Sequence, residues 1–135
     1  MLLDSNVIIY AAKPEHHEIR RFITGQPLFV SAISIVEVLG YQRLKSEERI
    51  YLERFFDTAN VLPLSNSVIA QAVILRQTRR MTLGDALIAA TALIHHEPLI
   101  TRNVKDFDWI DGLKVVNPFE PSPPNQFEAE DDSES

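Results

Sequence analysis

The chain has 135 residues, of which 45% are hydrophobic and 24% are charged, and it contains no cysteine. This composition predicts one globular domain and excludes disulfides, zinc–thiolate sites, iron–sulfur clusters and thiol catalysis. The net charge of −6 comes from the carboxyl-terminal end, because six of the 19 acidic residues and none of the 13 basic residues lie in residues 119–135. Residues 1–118 therefore carry no net charge, and an anionic substrate is not excluded.

Short apolar strands alternate with helical patterns along residues 1–118. The first third of the chain is predicted to form a strand at 1–3, helices at 7–12 and 15–23, a strand at 28–30 and a helix from Ser31 or Ser34 to about residue 44. A helix at 46–56, a strand at 61–64 and helices at 68–79 and 82–96 follow. The last predicted elements are a strand at 99–101, a helical turn at 103–107 and a strand at 113–116. This alternation predicts an α/β fold in which helices cover both faces of a parallel sheet.

The end of the chain differs from the rest. Residues 118–124 are rich in proline and the remainder is acidic, so we expect a domain over residues 1–118 and a disordered tail over residues 119–135. No segment approaches the roughly 20 apolar residues that span a bilayer. Asp4 lies where a secretory signal would be basic, so we expect a cytoplasmic protein that does not associate with membranes.

Three acidic residues are each the only charged residue of an apolar segment. Asp4 is alone within residues 1–12, Glu37 within residues 22–42 and Asp85 within residues 81–94. An unpaired buried carboxylate costs several kcal/mol, so three of them together indicate a shared cation. Asp4 ends a predicted strand and Asp85 begins a predicted helix, as expected for a site at the carboxyl edge of a parallel sheet. Asp106 also follows a predicted strand, but other charged residues share its loop.

Clustered carboxylates suit hard cations such as Mg²⁺ and Mn²⁺, which activate water and screen charge in phosphoester hydrolysis. Each acid also has a purely structural alternative. Asp4 would then be a helix N-cap. Asp85 and Asp106 would each help to cap a helix from the third position after its N-cap residue, and Glu37 would face solvent.

Four basic residues lie near Asp85 and Asp106 in the sequence and are candidates for contacts with a phosphate backbone. They are Arg79, Arg80, Arg102 and Lys105. Arg79 and Arg80 have a simpler alternative as partners of a helix dipole.

Four motifs, at residues 2–10, 34–40, 85–92 and 101–107, resemble in sequence and order those of PIN-domain ribonucleases, and most of all the VapC toxins of bacterial toxin–antitoxin pairs. The resemblance implies a three-layer α/β/α fold with a central, mostly parallel sheet of four to five strands. It implies that the catalytic and metal-binding residues are Asp4, Glu37, Asp85 and Asp106, surrounded by the polar residues Ser5, Asn6, Thr101 and Asn103. Many members of the family have an acid at the position of Asn103, so either Asp106 or Asn103 completes the set.

The same resemblance implies an endoribonuclease that uses Mg²⁺ or Mn²⁺ to cut single-stranded or looped RNA. It also implies a homodimer and a small antitoxin that covers the acidic cluster with a basic side chain. One alternative is a PIN-like binding module without catalytic activity. Another is an aspartyl-phosphate phosphatase, which needs a second Asp where this chain has Asn6 and a lysine near the site.

Overall fold

Five strands form one fully parallel sheet in residues 1–119, the part of the chain that the computed structural model describes. The strands are β1 (Leu2–Leu3), β2 (Phe29–Ser31), β3 (Asn60–Leu62), β4 (Leu99–Ile100) and β5 (Val115–Val116). Their order in the sheet is β3-β2-β1-β4-β5, with Leu2 paired to Phe29 on one side and to Leu99 on the other. The prediction of a parallel sheet of four to five strands is confirmed.

Helices cover both faces of this sheet. They are α1 (Ser5–Ala11), α2 (His17–Ile23), α3 (Ala32–Leu39), α4 (Ser46–Thr58), α5 (Asn66–Thr78) and α6 (Leu83–His95), with short 3-10 helices at Pro14–His16 and Val104–Asp106. Within residues 1–119, no helix is both long and apolar enough to cross a membrane. Of the predicted tail, only Phe119 belongs to the described residues.

The central strand β1 shows why helices pack on both faces of the sheet and so form three layers. Leu2 and Leu3 are both fully buried, and neighbouring residues of a strand point to opposite faces. Leu2 packs into a core with residues of α5 and α6, and Leu3 packs into a second core with residues of α1, α2 and α4. A strand buried on both faces reads as a continuous apolar run, which is why this short strand could be predicted.

Several helix boundaries differ from the prediction by a few residues, and two of the differences lie next to Asp4 and Glu37. Helix α1 begins at Ser5 rather than residue 7, so the polar residues Ser5 and Asn6 form its first turn directly after Asp4. The prediction that the third helix reaches residue 44 is wrong, because α3 ends at Leu39 and Gly40 is its C-cap. Glycine favours helix poorly, and residues 40–43 are exposed, so no core contact extends the helix beyond Gly40.

Candidate active site

Two polar residues that follow adjacent strands meet at the carboxyl edge of the sheet. Asp4 follows β1 and is 5% exposed, and Thr101 follows β4 and is fully buried. The Thr101 hydroxyl donates a hydrogen bond of 2.7 Å to Asp4 Oδ2, and it accepts one of 3.0 Å from the Asn103 backbone N–H. The pairing of β1 with β4 therefore fixes the position of the Asp4 carboxylate.

Glu37 reaches the same edge from α3. The Ser5 hydroxyl donates a hydrogen bond of 2.7 Å to Glu37 Oε1, and Ser5 Oγ lies 2.8 Å from Ser34 Oγ. On the other side the Glu37 carboxylate lies so close to Gly84 of α6 that a Cβ atom at Gly84 would collide with it. Glu37 is an exposed residue, yet its carboxylate is held between α1 and α6.

Asp85 lies in the first turn of α6. The N-cap of this helix is Thr82, whose hydroxyl accepts a hydrogen bond of 3.1 Å from the Asp85 backbone N–H. Only the backbone of Asp85 takes part in this hydrogen bond. A purely capping role has less support for Asp4, which occupies the N-cap position of α1 but makes no side-chain capping hydrogen bond. The same holds for Asp106, because Asn103, the N-cap residue three positions before it, makes no such hydrogen bond either.

The carboxylates line two adjoining cavities. A cavity of about 310 Å³ is lined by Asp4, Ser5, Asn6, Ile9, Tyr10, Lys13, Glu37, Tyr41 and Asp85, and we call it the acidic cavity. A second cavity of about 270 Å³ shares Asp85 with it and is lined also by Asp106. The structure thus places Asp4, Glu37 and Asp85 around one space and Asp106 beside it.

Burial and mutual repulsion act on these carboxylates in the same direction. Burial raises the pKa of Asp4 above its usual value, and the charges of Glu37 and Asp106 raise it further, against hydrogen bonds from Thr101 and the Ser5 backbone that lower it. Burial also raises the pKa of Asp85, to about 6, with the charges of Asp4, Asp106 and Glu37 contributing and a hydrogen bond with Thr82 opposing the rise. All four acids therefore interact electrostatically.

These residues fit a hard divalent cation by their chemistry. The donors are oxygens, two carboxyl groups have raised pKa values, and none of the four acids forms an ion pair within residues 1–119. Across the same residues, no three acidic or histidine side chains form a ready-made metal cluster. An ion such as Mg²⁺, which keeps several waters and binds one or two carboxylates directly, suits such loosely grouped acids.

The predicted polar and basic residues lie around the acids. Asn6 lines the acidic cavity, and Asn103 lines a third cavity with Arg102, Lys105 and Asp106. The cavity shared by Asp85 and Asp106 is also lined by Arg79, Arg80 and Lys105. The structure therefore brings all four predicted basic residues to the surroundings of Asp85 or Asp106.

Sequence reasoning missed Lys13, which lines the acidic cavity. Its Nζ lies 3.2 Å from Glu48 Oε2, while the Lys45 backbone N–H donates a hydrogen bond of 3.1 Å to Glu48 Oε1. These contacts together lower the pKa of Glu48, and the Lys45 hydrogen bond contributes most. The signal was available, because Asn6, Ile9, Tyr10 and Lys13 follow the spacing of one helical face.

Lys13 also bears on the phosphatase alternative, since that class needs a lysine near its catalytic Asp. The structure supplies this lysine, so that part of the case against a phosphatase is lost. The other part stands, because Asn6 occupies the place of the second acid that the class requires.

Comparisons with known proteins agree on one family. The profile of the PIN domain matches residues 1–113. Ribonuclease VapC1 of Rickettsia felis is 32% identical to this chain, over 86% of the chain and 94% of that relative. A solved toxin–antitoxin complex from Klebsiella pneumoniae matches with a TM-score of 0.74 and 32% identity, over 89% of this chain and 98% of the matched chain. VapBC-1 from nontypeable Haemophilus influenzae matches with a TM-score of 0.71 and 26% identity, over 88% and 98%.

Proposed function

The chain belongs to the PIN-domain family, and from that premise we propose that it is a ribonuclease toxin whose acidic cluster uses Mg²⁺ or Mn²⁺ to cleave phosphodiester bonds inside single-stranded or looped RNA. One observation carries this proposal. Four carboxylates from distant parts of the chain interact at one edge of the sheet, and no basic side chain within residues 1–119 pairs with them. A bound cation is the simplest way to offset their mutual repulsion.

In this proposal Asp4, Glu37 and Asp85 hold the cation directly or through water. Asp106 contributes through water or holds a second ion. The charge of Asp106 raises the pKa of both Asp4 and Asp85, which supports Asp106 rather than Asn103 as the fourth member. A divalent ion bound there supplies positive charge that polarises the phosphate and acidifies a water molecule.

The chain's own residues orient the reacting groups. Thr101 holds the Asp4 carboxylate through a hydrogen bond, and Ser5 does the same for Glu37, so neither carboxylate has to be ordered when substrate arrives. Arg79, Arg80 and Lys105 line the cavity next to Asp85 and can bind backbone phosphates on either side of the cleaved bond. Attack by water in line with the P–O3′ bond leaves a 5′-phosphate and, once the leaving oxygen takes a proton, a 3′-hydroxyl.

The proposal includes two protein partners. Relatives of this chain are solved in toxin–antitoxin complexes, and a cognate antitoxin that places a basic side chain among the acids would block the site. A second copy of the chain is the other partner. Helix α5 leaves Ile69, Val73 and Ile74 about half exposed, which supports burial of this apolar face in a homodimer. Sedimentation that shows only monomer would contradict the dimer.

Cleavage of RNA by the purified protein tests the proposal. We expect Mn²⁺ or Mg²⁺ to activate cleavage, and EDTA to abolish it, with products that carry a 5′-phosphate. Asp4→Asn should reduce the rate by about 100-fold or more, since even residues that only orient metal ligands are worth roughly 10- to 100-fold. Asp111→Asn, at an exposed loop acid, is the matched control and should cleave like the wild type.

Two results would overturn this function. Equal cleavage by wild type and Asp4→Asn that EDTA does not inhibit would reject the metal-dependent mechanism. Absence of both RNA cleavage and any Mn²⁺-dependent rise in Tm would favour a PIN-like binding module without catalytic activity.

A further inference from the structure

An aromatic cluster, formed by Tyr10, His16 and Phe119, adjoins the acidic cavity. The ring centroids of Tyr10 lie 5.0 Å from His16 and 5.2 Å from Phe119, and both pairs meet edge to face. Tyr10 also lines the acidic cavity. These rings come from α1, the following 3-10 helix and the last described residue, so folding assembles the cluster from both ends of the domain.

Arg102 lies over this cluster. Its Cζ atom is 4.7 Å from the ring centroid of Phe119 and 5.5 Å from that of Tyr10, which are cation–π distances. Arg102 is exposed and forms no ion pair within residues 1–119. The aromatic rings rather than a carboxylate therefore position the guanidinium, and part of the residue faces solvent.

The location of Arg102 relates it to the acids. Arg102 directly follows Thr101, whose hydroxyl holds the Asp4 carboxylate. It also lines a cavity together with Asp106. A nucleotide adjacent to a phosphodiester bound at the acids would therefore reach Arg102.

We propose that Arg102, positioned by Tyr10 and Phe119, stacks against an unpaired base of the RNA strand next to the cleaved phosphodiester. The inference rests on the proposed ribonuclease function. Guanidinium planes stack on unpaired bases, whereas bases inside a duplex are covered by their neighbours. The residue would therefore select single-stranded over duplex RNA, with little preference for the identity of the base.

A phosphate contact is the competing role for Arg102, and lysine separates the two roles. Lysine keeps the positive charge but has no planar group to stack. The experiment measures binding of a labelled single-stranded RNA to the full chain in EDTA by fluorescence anisotropy. The affinity should fall about tenfold in Arg102→Lys, which corresponds to the loss of one stacking contact between a base and a side chain. The dependence of affinity on salt should stay the same, because the charge is retained.

Binding of an abasic strand of the same length as the labelled RNA provides a second measurement. Wild type should bind the base-containing strand more tightly than the abasic strand, and Arg102→Lys should lose most of that difference. Tyr10→Phe should behave like the wild type, whereas Tyr10→Leu should resemble Arg102→Lys. Arg20→Lys is the matched control, because Arg20 lies 4.2 Å from the Tyr51 ring centroid beside a cavity that contains none of the four acids.

Wild-type affinity in Arg102→Lys would overturn the stacking role. A phosphate contact would then be indicated if Arg102→Ala also binds weakly and the slope of log affinity against log salt concentration is smaller by about one. Failure of wild type to prefer the base-containing strand would also overturn it. Failure of the proposed function gives a different result, namely base-dependent binding that still requires Arg102 but no cleavage with Mn²⁺.

Discussion

Replacement of Asp85 with asparagine is expected to stabilise the metal-free protein at neutral pH. Asp85 is half-buried, and this burial does most to raise its pKa from the ordinary 3.8 to about 6, with the charges of nearby Asp4, Asp106 and Glu37 adding to the rise. In EDTA the ionised carboxylate therefore destabilises the folded state. Asparagine has almost the same shape without the charge, so it removes both the cost of burying that charge and the repulsion, while the backbone N–H at position 85 still donates to Thr82.

The magnitude follows from the rise in pKa. A rise from 3.8 to about 6 corresponds to at most about 3 kcal/mol, and partial exposure to solvent reduces this to about 1 to 2 kcal/mol. Loss of a negative charge in the first turn of α6 costs about 0.3 to 1 kcal/mol through the helix dipole. The expected net gain is therefore about 1 kcal/mol, or a rise in Tm of about 3 to 6 °C for a domain of this size.

The dependence on pH has a definite sign. Below about pH 3.8 the Asp85 carboxyl group is protonated in both the folded and the unfolded chain and does not affect stability. Between pH 3.8 and about 6 the unfolded chain loses this proton first, so the free energy of unfolding falls as pH rises. Above pH 6 the destabilisation is complete. The gain from Asp85→Asn should therefore be absent at pH 3.5, if the protein is still folded there, and present at pH 7.

Thermal unfolding in EDTA at several pH values measures this effect. Asp111→Asn is the control, because it removes one negative charge from an exposed residue that lines none of the cavities containing the four acids, and it should leave Tm within about 1 °C, as expected for a surface substitution. Mn²⁺ should raise the Tm of wild type more than that of Asp85→Asn. A Tm for Asp85→Asn equal to or below that of wild type at pH 7 would refute the reasoning, as would a gain of the same size at every pH.

Two further substitutions test how the carboxylates are held. Thr101→Val removes the hydroxyl that donates to buried Asp4 and should lower the free energy of unfolding at pH 7 by about 1 to 3 kcal/mol, measured by urea denaturation; a variant as stable as wild type would contradict this role. Gly84→Ala should leave stability within about 1 kcal/mol of wild type, because alanine favours helix, but its Cβ displaces the Glu37 carboxylate. Its RNA cleavage rate should therefore fall about 10- to 100-fold, and unchanged cleavage would show that the position of Glu37 is unimportant.

Much of the fold could be predicted because its signals are local. The buried strands are short apolar runs bounded by helix-capping residues, and α6 is an apolar helix that begins after Thr82. The candidate acids could be found for a similar reason, since each of Asp4, Glu37 and Asp85 is the only charge in its own segment. The predicted end of α3 was wrong because Leu44 packs against the core, but from outside the helix, after the exposed residues 40–43. A sequence pattern alone does not separate these two ways of burying a leucine.

The sequence by itself determined which side chains were available for the site and which segments were buried. Only the tertiary structure decided which of them meet. The hydrogen bond from Thr101 to Asp4 joins residues 97 positions apart, and the ion pair of Lys13 with Glu48 joins residues 35 positions apart. The placement of Arg102 on Tyr10 and Phe119 likewise needs both ends of the domain. Such contacts depend on the order and register in which β1, β2 and β4 pair, and no local pattern of residues specifies that pairing.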